Sequence, residues 1–137
     1  MITAVDANIV LDVLVGTPTE VQSAHTAMLA AKVAGDLIMS SVAYAEIAAR
    51  FNSKAKADDF FSLLACKVQP LDDNAAFLAG QFFAQYRKCG GTRTRIIADF
   101  LVAAHAQQNA DRILTRDTGF FGSNFPRLKA VSPTDLI

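Results

Sequence analysis

The chain has 137 residues, 52% of them hydrophobic, enough for one domain over 1–137 that buries roughly two-thirds of its unfolded surface. Thirteen basic residues balance thirteen acidic ones, so net charge argues for neither a nucleic-acid nor a membrane-surface protein, and any such affinity has to be local. No segment supplies the roughly 18 uninterrupted apolar residues of a membrane span, and the start MITAVDANIV lacks the pattern of a secretory leader, so a soluble, cytoplasmic protein is expected.

Ile2 to Val5 reads as a short strand. Thr17-Pro18 then places a cap and a first-turn proline before a helix over Glu20 to Ala34, which Gly35 terminates. Leu37 to Ser40 is the second strand, Ser41 the expected cap of a helix over Val42 to Phe51, and Asn52 to Leu64 a further helix. After a third strand at Lys67 to Gln69, Asp72 or Asp73 caps a helix reaching Lys88, which Cys89-Gly90-Gly91 ends. Thr94 is the expected cap of a helix over Arg95 to Gln108, and strands follow at Arg112 to Leu114 and Leu128 to Val131. This alternation predicts an α/β domain with a mainly parallel sheet. Cys66 and Cys89 are too few for a disulfide framework and lack metal-ligand spacing, so Cys66 reads as core and Cys89 as a loop-edge thiol.

Three acids look out of place. Asp6 is the only charge from Ile2 to Leu11, Glu46 the only one from Val42 to Ala49, and Asp99 the only one from Ile96 to Ala104. An ionised carboxylate in apolar surroundings costs several kcal/mol unless a cation or strong hydrogen bonds compensate. Asp36, Asp58, Asp59, Asp72, Asp73, Asp111 and Asp135 sit at expected turns, caps or solvated faces and need no such account. Asp6 follows the first strand, Asp117 the fourth, and Glu46 lies five residues beyond an expected cap. In a parallel sheet these places face one crevice at the topological switch point. Asp99, expected in the second turn of a helix that is apolar nearly all round, is either a capping or edge acid or a ligand. Carboxylates clustered without His or Cys suit a hard divalent cation, Mg²⁺ or Mn²⁺, and disfavour zinc.

The opening VDANIVLD, the segment SSVAYAEI and the run ADFLVAAHAQQNADRILTRDTGFF together resemble PIN domains of the VapC toxin type. The last block is the most specific, because an acid on an alanine-rich helix, a short strand, Thr-Arg-Asp and an aromatic pair follow in the family's order. The resemblance spans nearly the whole chain. It implies a three-layer α/β/α sandwich and an acidic pocket that uses one or two Mg²⁺ or Mn²⁺ ions for endonucleolytic RNA cleavage. Residue by residue, Asp6, Glu46, Asp99 and Asp117 are similar to the family's four acids, and Asn8 and Thr115 to the polar positions flanking the first and fourth. Many relatives carry another acid two residues beyond the last; this chain has Gly119 there, which puts a second metal site in doubt.

On that reading Asp6, Asp99 and Asp117 hold metal, Glu46 orients the attacking water, and Asn8 and Thr115 keep the carboxylates in place. Metal-activated water leaves 5′-phosphate and 3′-hydroxyl ends. Asp12, near the opening helix, fits either a solvated helix position or direct involvement. Arg87, Lys88, Arg93 and Arg95 crowd the Gly90-Gly91 turn and Arg116 adjoins Asp117; these are the candidate contacts to the RNA backbone. The turn cluster reads equally as a solvated helix end. His25 and His105 form no pair at ligand spacing and are expected to be structural or solvated. Most of the phenylalanines, including Phe60, Phe61, Phe82 and Phe83, are expected in core or interface, with Phe120 and Phe121 closing a loop over the pocket.

The resemblance also implies a homodimer and a cognate antitoxin whose C-terminal segment fills an apolar groove and the acidic pocket. The helices at Val42 to Phe51 and Asn52 to Leu64 could furnish that groove, or be core. Alternatives are a PIN nuclease in RNA maturation, a catalytically weak RNA- or partner-binding module, and an aspartate-nucleophile phosphotransferase. In the last, Asn8 stands where a second acid is expected, and Asp99 has no role.

Overall fold

A computed structural model describes residues 1–91 and 96–136. The expected cap Thr94 and the candidate RNA contacts Arg93 and Arg95 lie outside the described residues. In chain order the elements are β1 (Thr3–Val5), α1 (Ala7–Val15), α2 (Pro18–Ala34), β2 (Leu37–Ser40), α3 (Ser41–Ala48), α4 (Lys54–Leu63), β3 (Cys66–Gln69), α5 (Asp73–Lys88), α6 (Ile97–Asn109), β4 (Arg112–Leu114), α7 (Thr118–Asn124), β5 (Lys129–Val131) and a 3₁₀ turn (Pro133–Leu136).

The five strands form one sheet in the order β3-β2-β1-β4-β5, every pairing parallel. From β1 the chain steps out to β2 and β3, then returns to the other side of β1 for β4 and β5. Because such crossovers are right-handed, α1 to α4 cover one face and α5 to α7 the other, giving the expected α/β/α layers. Strand order reverses between β1 and β4, where Val5 pairs with Leu114. The central strands β1, β2 and β4 are buried along their whole length, whereas β3 and β5 at the edges include exposed residues.

Local chemistry sets most boundaries. Thr17 and Glu20 form a reciprocal capping box at the start of α2, with Pro18 in the first turn. Asp72, rather than Asp73, caps α5. The second expected cap shifts by one residue: Ser40, not Ser41, keeps an extended backbone and its hydroxyl accepts from the Ala43 amide at 3.2 Å. That helix ends at Ala48 instead of Phe51, and the next begins at Lys54, capped by Ser53, instead of Asn52. Gly35 ends α2 with φ of 155°, and a Cβ there would collide with the Met1 backbone, so no larger residue fits.

An aromatic cluster joins α5, α6 and α7. Phe100, fully buried on α6, meets Phe83, Tyr86, Phe120 and Phe125 at ring-centroid distances of 5.2, 5.3, 5.3 and 5.7 Å. Each such pair stabilises by about 0.5–1.5 kcal/mol beyond the area it buries. Phe120 and Phe121 are buried on α7 within this cluster, which corrects the expectation that they close a loop over the pocket. Cys66 is core as expected, and burial pushes its thiol up to about 12; Cys89 is exposed.

Candidate functional site

Asp6 stands where β1 becomes α1. Its backbone amide donates to the Leu114 carbonyl at 3.0 Å, so it still belongs to the sheet, while its Oδ1 accepts from the Ala7 amide at 2.8 Å and caps α1. Oδ2 accepts from the Thr115 hydroxyl at 2.8 Å and from Asn8 Nδ2 at 3.3 Å. Thr115 directly follows β4 and is fully buried. Its Oγ1 also accepts from the Asp117 amide at 3.0 Å and from Asn8 Nδ2 at 3.3 Å. One donor and two acceptor positions are thus all engaged, which leaves this hydroxyl no freedom to rotate. Asn8 Oδ1 in turn accepts from the Arg116 amide at 3.2 Å. The two polar flanking residues therefore tie the turn after β4 to the start of α1.

Asp99 enters from α6 in the first helical turn rather than the expected second, because the helix begins at Ile97. Its Oδ2 accepts from the Ile96 amide at 3.2 Å, the capping geometry that the sequence left open beside a ligand role. The neighbouring Phe100, locked in the aromatic cluster, fixes the position of this turn. Glu46 lies in the second turn of α3 and is solvent-facing, which corrects the picture of it as an acid enclosed by apolar neighbours. Asp6, Asp99 and Asp117 are half-buried.

The four carboxyls feel one another. Burial pushes the Asp6 carboxyl up from the ordinary range, the Thr115 and Ala7 hydrogen bonds pull it down, and the charges of Asp99 and Asp117 raise it again. Glu46 is raised by desolvation and then by Asp6 and Asp99. The structure thus brings Asp6, Glu46, Asp99 and Asp117 into one electrostatic neighbourhood at the switch point between β1 and β4. Like charges gathered at a half-buried place are unfavourable without a cation. Among the described residues no three His, Cys, Asp or Glu side chains are already set at the spacing that holds one ion. The donors are all carboxylate oxygens, and in that chemistry they fit a hard divalent cation.

Asp12 is buried, not solvated. It faces Arg116, whose Nε lies 2.9 Å from Oδ2, and burial raises its carboxyl while Arg116 pulls it down and Glu20 adds to the rise. The signal was present in the sequence: Asp12 is the sole charge between Ala7 and Val15, the same pattern that singled out Asp6. The remaining cationic candidates, Arg87 and Lys88, are exposed in the last turn of α5, where both favour the helix C-terminus, and the Arg87 guanidinium sits 5.7 Å over the Phe83 ring. His25 is exposed and His105 is buried on α6. Between α3 and α4 runs a groove of about 330 Å³ lined by Tyr44, Ala48, Phe51, Asn52, Ser53, Lys54 and Ala57. Among the described residues no helix is long and apolar enough to cross a membrane.

Comparison with known proteins places this fold. No match is found among curated protein sequences. Solved structures share the fold: a chain of VapBC2 from Rickettsia felis, bound to a DNA fragment from its promoter, has a TM-score of 0.75 at 19% identity, covering 96% of this chain and 98% of that one. A chain of VapBC-1 from nontypeable Haemophilus influenzae gives 0.70 at 21%, covering 98% and 99%. A chain of FitAcB from Neisseria gonorrhoeae gives 0.68 at 23%, covering 99% and 100%. A family model described as the PIN domain matches residues 3–122, from the first strand through the four carboxylates to α7, and the chain belongs to the PIN-domain family.

Proposed function

We propose that this chain is a divalent-metal-dependent endoribonuclease and the toxin of a toxin–antitoxin pair. The observation that carries the reading is the set of charges around two raised carboxyls: burial and then Asp99 and Asp117 raise Asp6, while burial and then Asp6 and Asp99 raise Glu46. A bound Mg²⁺ or Mn²⁺ ion supplies Lewis acidity to the scissile phosphate and lowers the pKa of an attacking water. Asp6, Asp99 and Asp117 would hold it. Glu46, at the solvent edge, orients that water and takes up its proton, for which a carboxyl raised above its ordinary range is suited. Thr115 and Asn8 fix the Asp6 carboxylate so that it does not rotate away when the charge arrives. Arg116, with Arg87 and Lys88, offsets the repulsion between the acidic pocket and the RNA backbone, and the products carry 5′-phosphate and 3′-hydroxyl ends.

The likeness in fold to chains of VapBC and FitAB assemblies supports an antitoxin partner, and the apolar groove between α3 and α4 is the surface on which its segment would lie. A homodimer and a cytoplasmic setting belong to the same reading. The test is purified protein with end-labelled RNA, in Mn²⁺ or chelator, beside Asp6→Asn and Asp99→Asn. Cleavage only by the wild type in Mn²⁺, with 5′-phosphate ends, is expected; equal cleavage in every lane, or 2′,3′-cyclic phosphate ends, overturns the chemistry. Gly119 and the absence of a preset three-ligand group among the described residues favour one second reading, an RNA- or partner-binding module, for which binding without cleavage is the signature. Co-expression with the product of a neighbouring reading frame tests the partner.

A further inference from the structure

We propose that Asp12 is a positioning residue that holds Arg116 as a phosphate-binding arm at the rim of the carboxylate pocket; the proposal rests on the nuclease reading above and adds to it a residue outside the four acids.

Four contacts bind the turn after β4 to the start of α1, among them Asn8 Nδ2 donating to Thr115 Oγ1. Thr115 donates to Asp6, the Arg116 amide donates to Asn8 Oδ1, and the Arg116 guanidinium meets Asp12 through Nε at 2.9 Å. The last differs from the others in kind. Asp12 is a carboxylate with a side chain only 10% exposed, set among the fully buried Ile9 and Val10 of α1, whereas Arg116 is 52% exposed. A buried carboxylate is costly to keep unless it does something an apolar residue could not. Here it stands 2.9 Å from the Nε of a five-donor guanidinium that remains half-exposed, one residue from Asp117.

An arginine anchored in this way loses rotamer freedom before substrate arrives, so less entropy is lost when its open edge meets a phosphate oxygen. It also supplies positive charge beside a pocket that otherwise repels a polyanion. Glu20, itself fixed in the capping box of α2, lies within electrostatic reach of both partners and biases Arg116 toward α1.

The experiment is fluorescence anisotropy of a labelled single-stranded RNA in Ca²⁺, with a gel to show that the RNA stays whole, and Mn²⁺-dependent cleavage measured separately. Arg116→Gln is expected to weaken binding about tenfold and to lower the slope of log affinity against log salt by about one. Asp12→Asn removes a negative charge, so plain electrostatics would tighten the complex. The clamp instead requires several-fold weaker binding, recovery in Asp12→Glu, and a double variant no weaker than Arg116→Gln alone. Arg116→Lys keeps the charge but loses Nε, and should bind several-fold more weakly with the salt slope retained; this variant lies on the surface and decides the matter even where Asp12→Asn does not fold. A folded Asp12→Asn protein that binds RNA as well as or better than the wild type, additive losses in the double variant, or an Arg116→Lys protein equal to the wild type overturns the proposal. Wild-type protein that binds but never cleaves overturns the nuclease reading alone.

Discussion

The Thr115 hydroxyl donates to Asp6 Oδ2 at 2.8 Å across 109 residues of sequence, and its own Oγ1 accepts from the Asp117 amide at 3.0 Å. One buried side chain therefore sets the relation between the carboxylates that end β1 and β4. Thr115→Val keeps the shape and removes both roles. Leaving a buried amide and a carboxylate short of a partner costs about 1–3 kcal/mol. Chemical denaturation should show that loss, cleavage should fall by at least tenfold, and Thr115→Ser should recover most of both; a Val variant as stable and active as the wild type excludes this role.

Asp6→Asn should trade activity for stability. The asparagine still caps α1, while the charge that burial and its neighbours oppose is gone. A gain of about 0.5–2 kcal/mol at neutral pH is expected, with cleavage lost. Added Mn²⁺ at about a hundred times its dissociation constant should stabilise the wild type by about 2.7 kcal/mol and the variant far less. Thermal melts with and without the ion check both halves, and equal shifts in the two proteins count against a metal at Asp6.

Gly119 is exposed in the first turn of α7, and a Cβ there meets nothing within 4 Å. Gly119→Ala should stabilise the helix by about 0.5–1 kcal/mol and leave cleavage unchanged. Gly119→Asp adds a carboxylate at a helix N-terminus beside the acidic pocket, and titration calorimetry should find tighter Mn²⁺ binding than in the wild type. Unchanged affinity would mean that this position lies out of reach of the ion.

His105 gives the fold a pH dependence. It is buried, its Nδ1 has no hydrogen-bond partner among the described residues, and desolvation lowers its pKa below 6.5, with Asp72 opposing weakly. Below 6.5 the unfolded chain takes a proton that the folded one refuses, so this contribution to stability is complete above 6.5 and declines as pH falls toward the lower folded value. The slope reaches at most about 1.4 kcal/mol per pH unit. His105→Leu should remove this component and raise stability at pH 5.5 more than at pH 8; equal gains at both would show that the ring titrates freely.

The five strands, the caps at Thr17 and Asp72 and the lone acids Asp6 and Asp99 were legible in the sequence, because apolar runs, helix caps and an isolated charge are short-range properties. Where the sequence misjudged, the deciding contact came from elsewhere in the fold. Ser40 caps α3 because the strand leaves its backbone extended for one residue less than the pattern suggested. Phe120 and Phe121 are buried because α7 packs onto Phe100 and Phe125. Asp12 is paired because β4 delivers Arg116 beside α1, and Glu46 is open to solvent because α3 turns it outward. Residue type and spacing determined which groups could carry charge into the interior. Which charges meet was decided by the parallel pairing of β1 with β4, since the reversal of strand order at that point brings the two strand ends within hydrogen-bond reach.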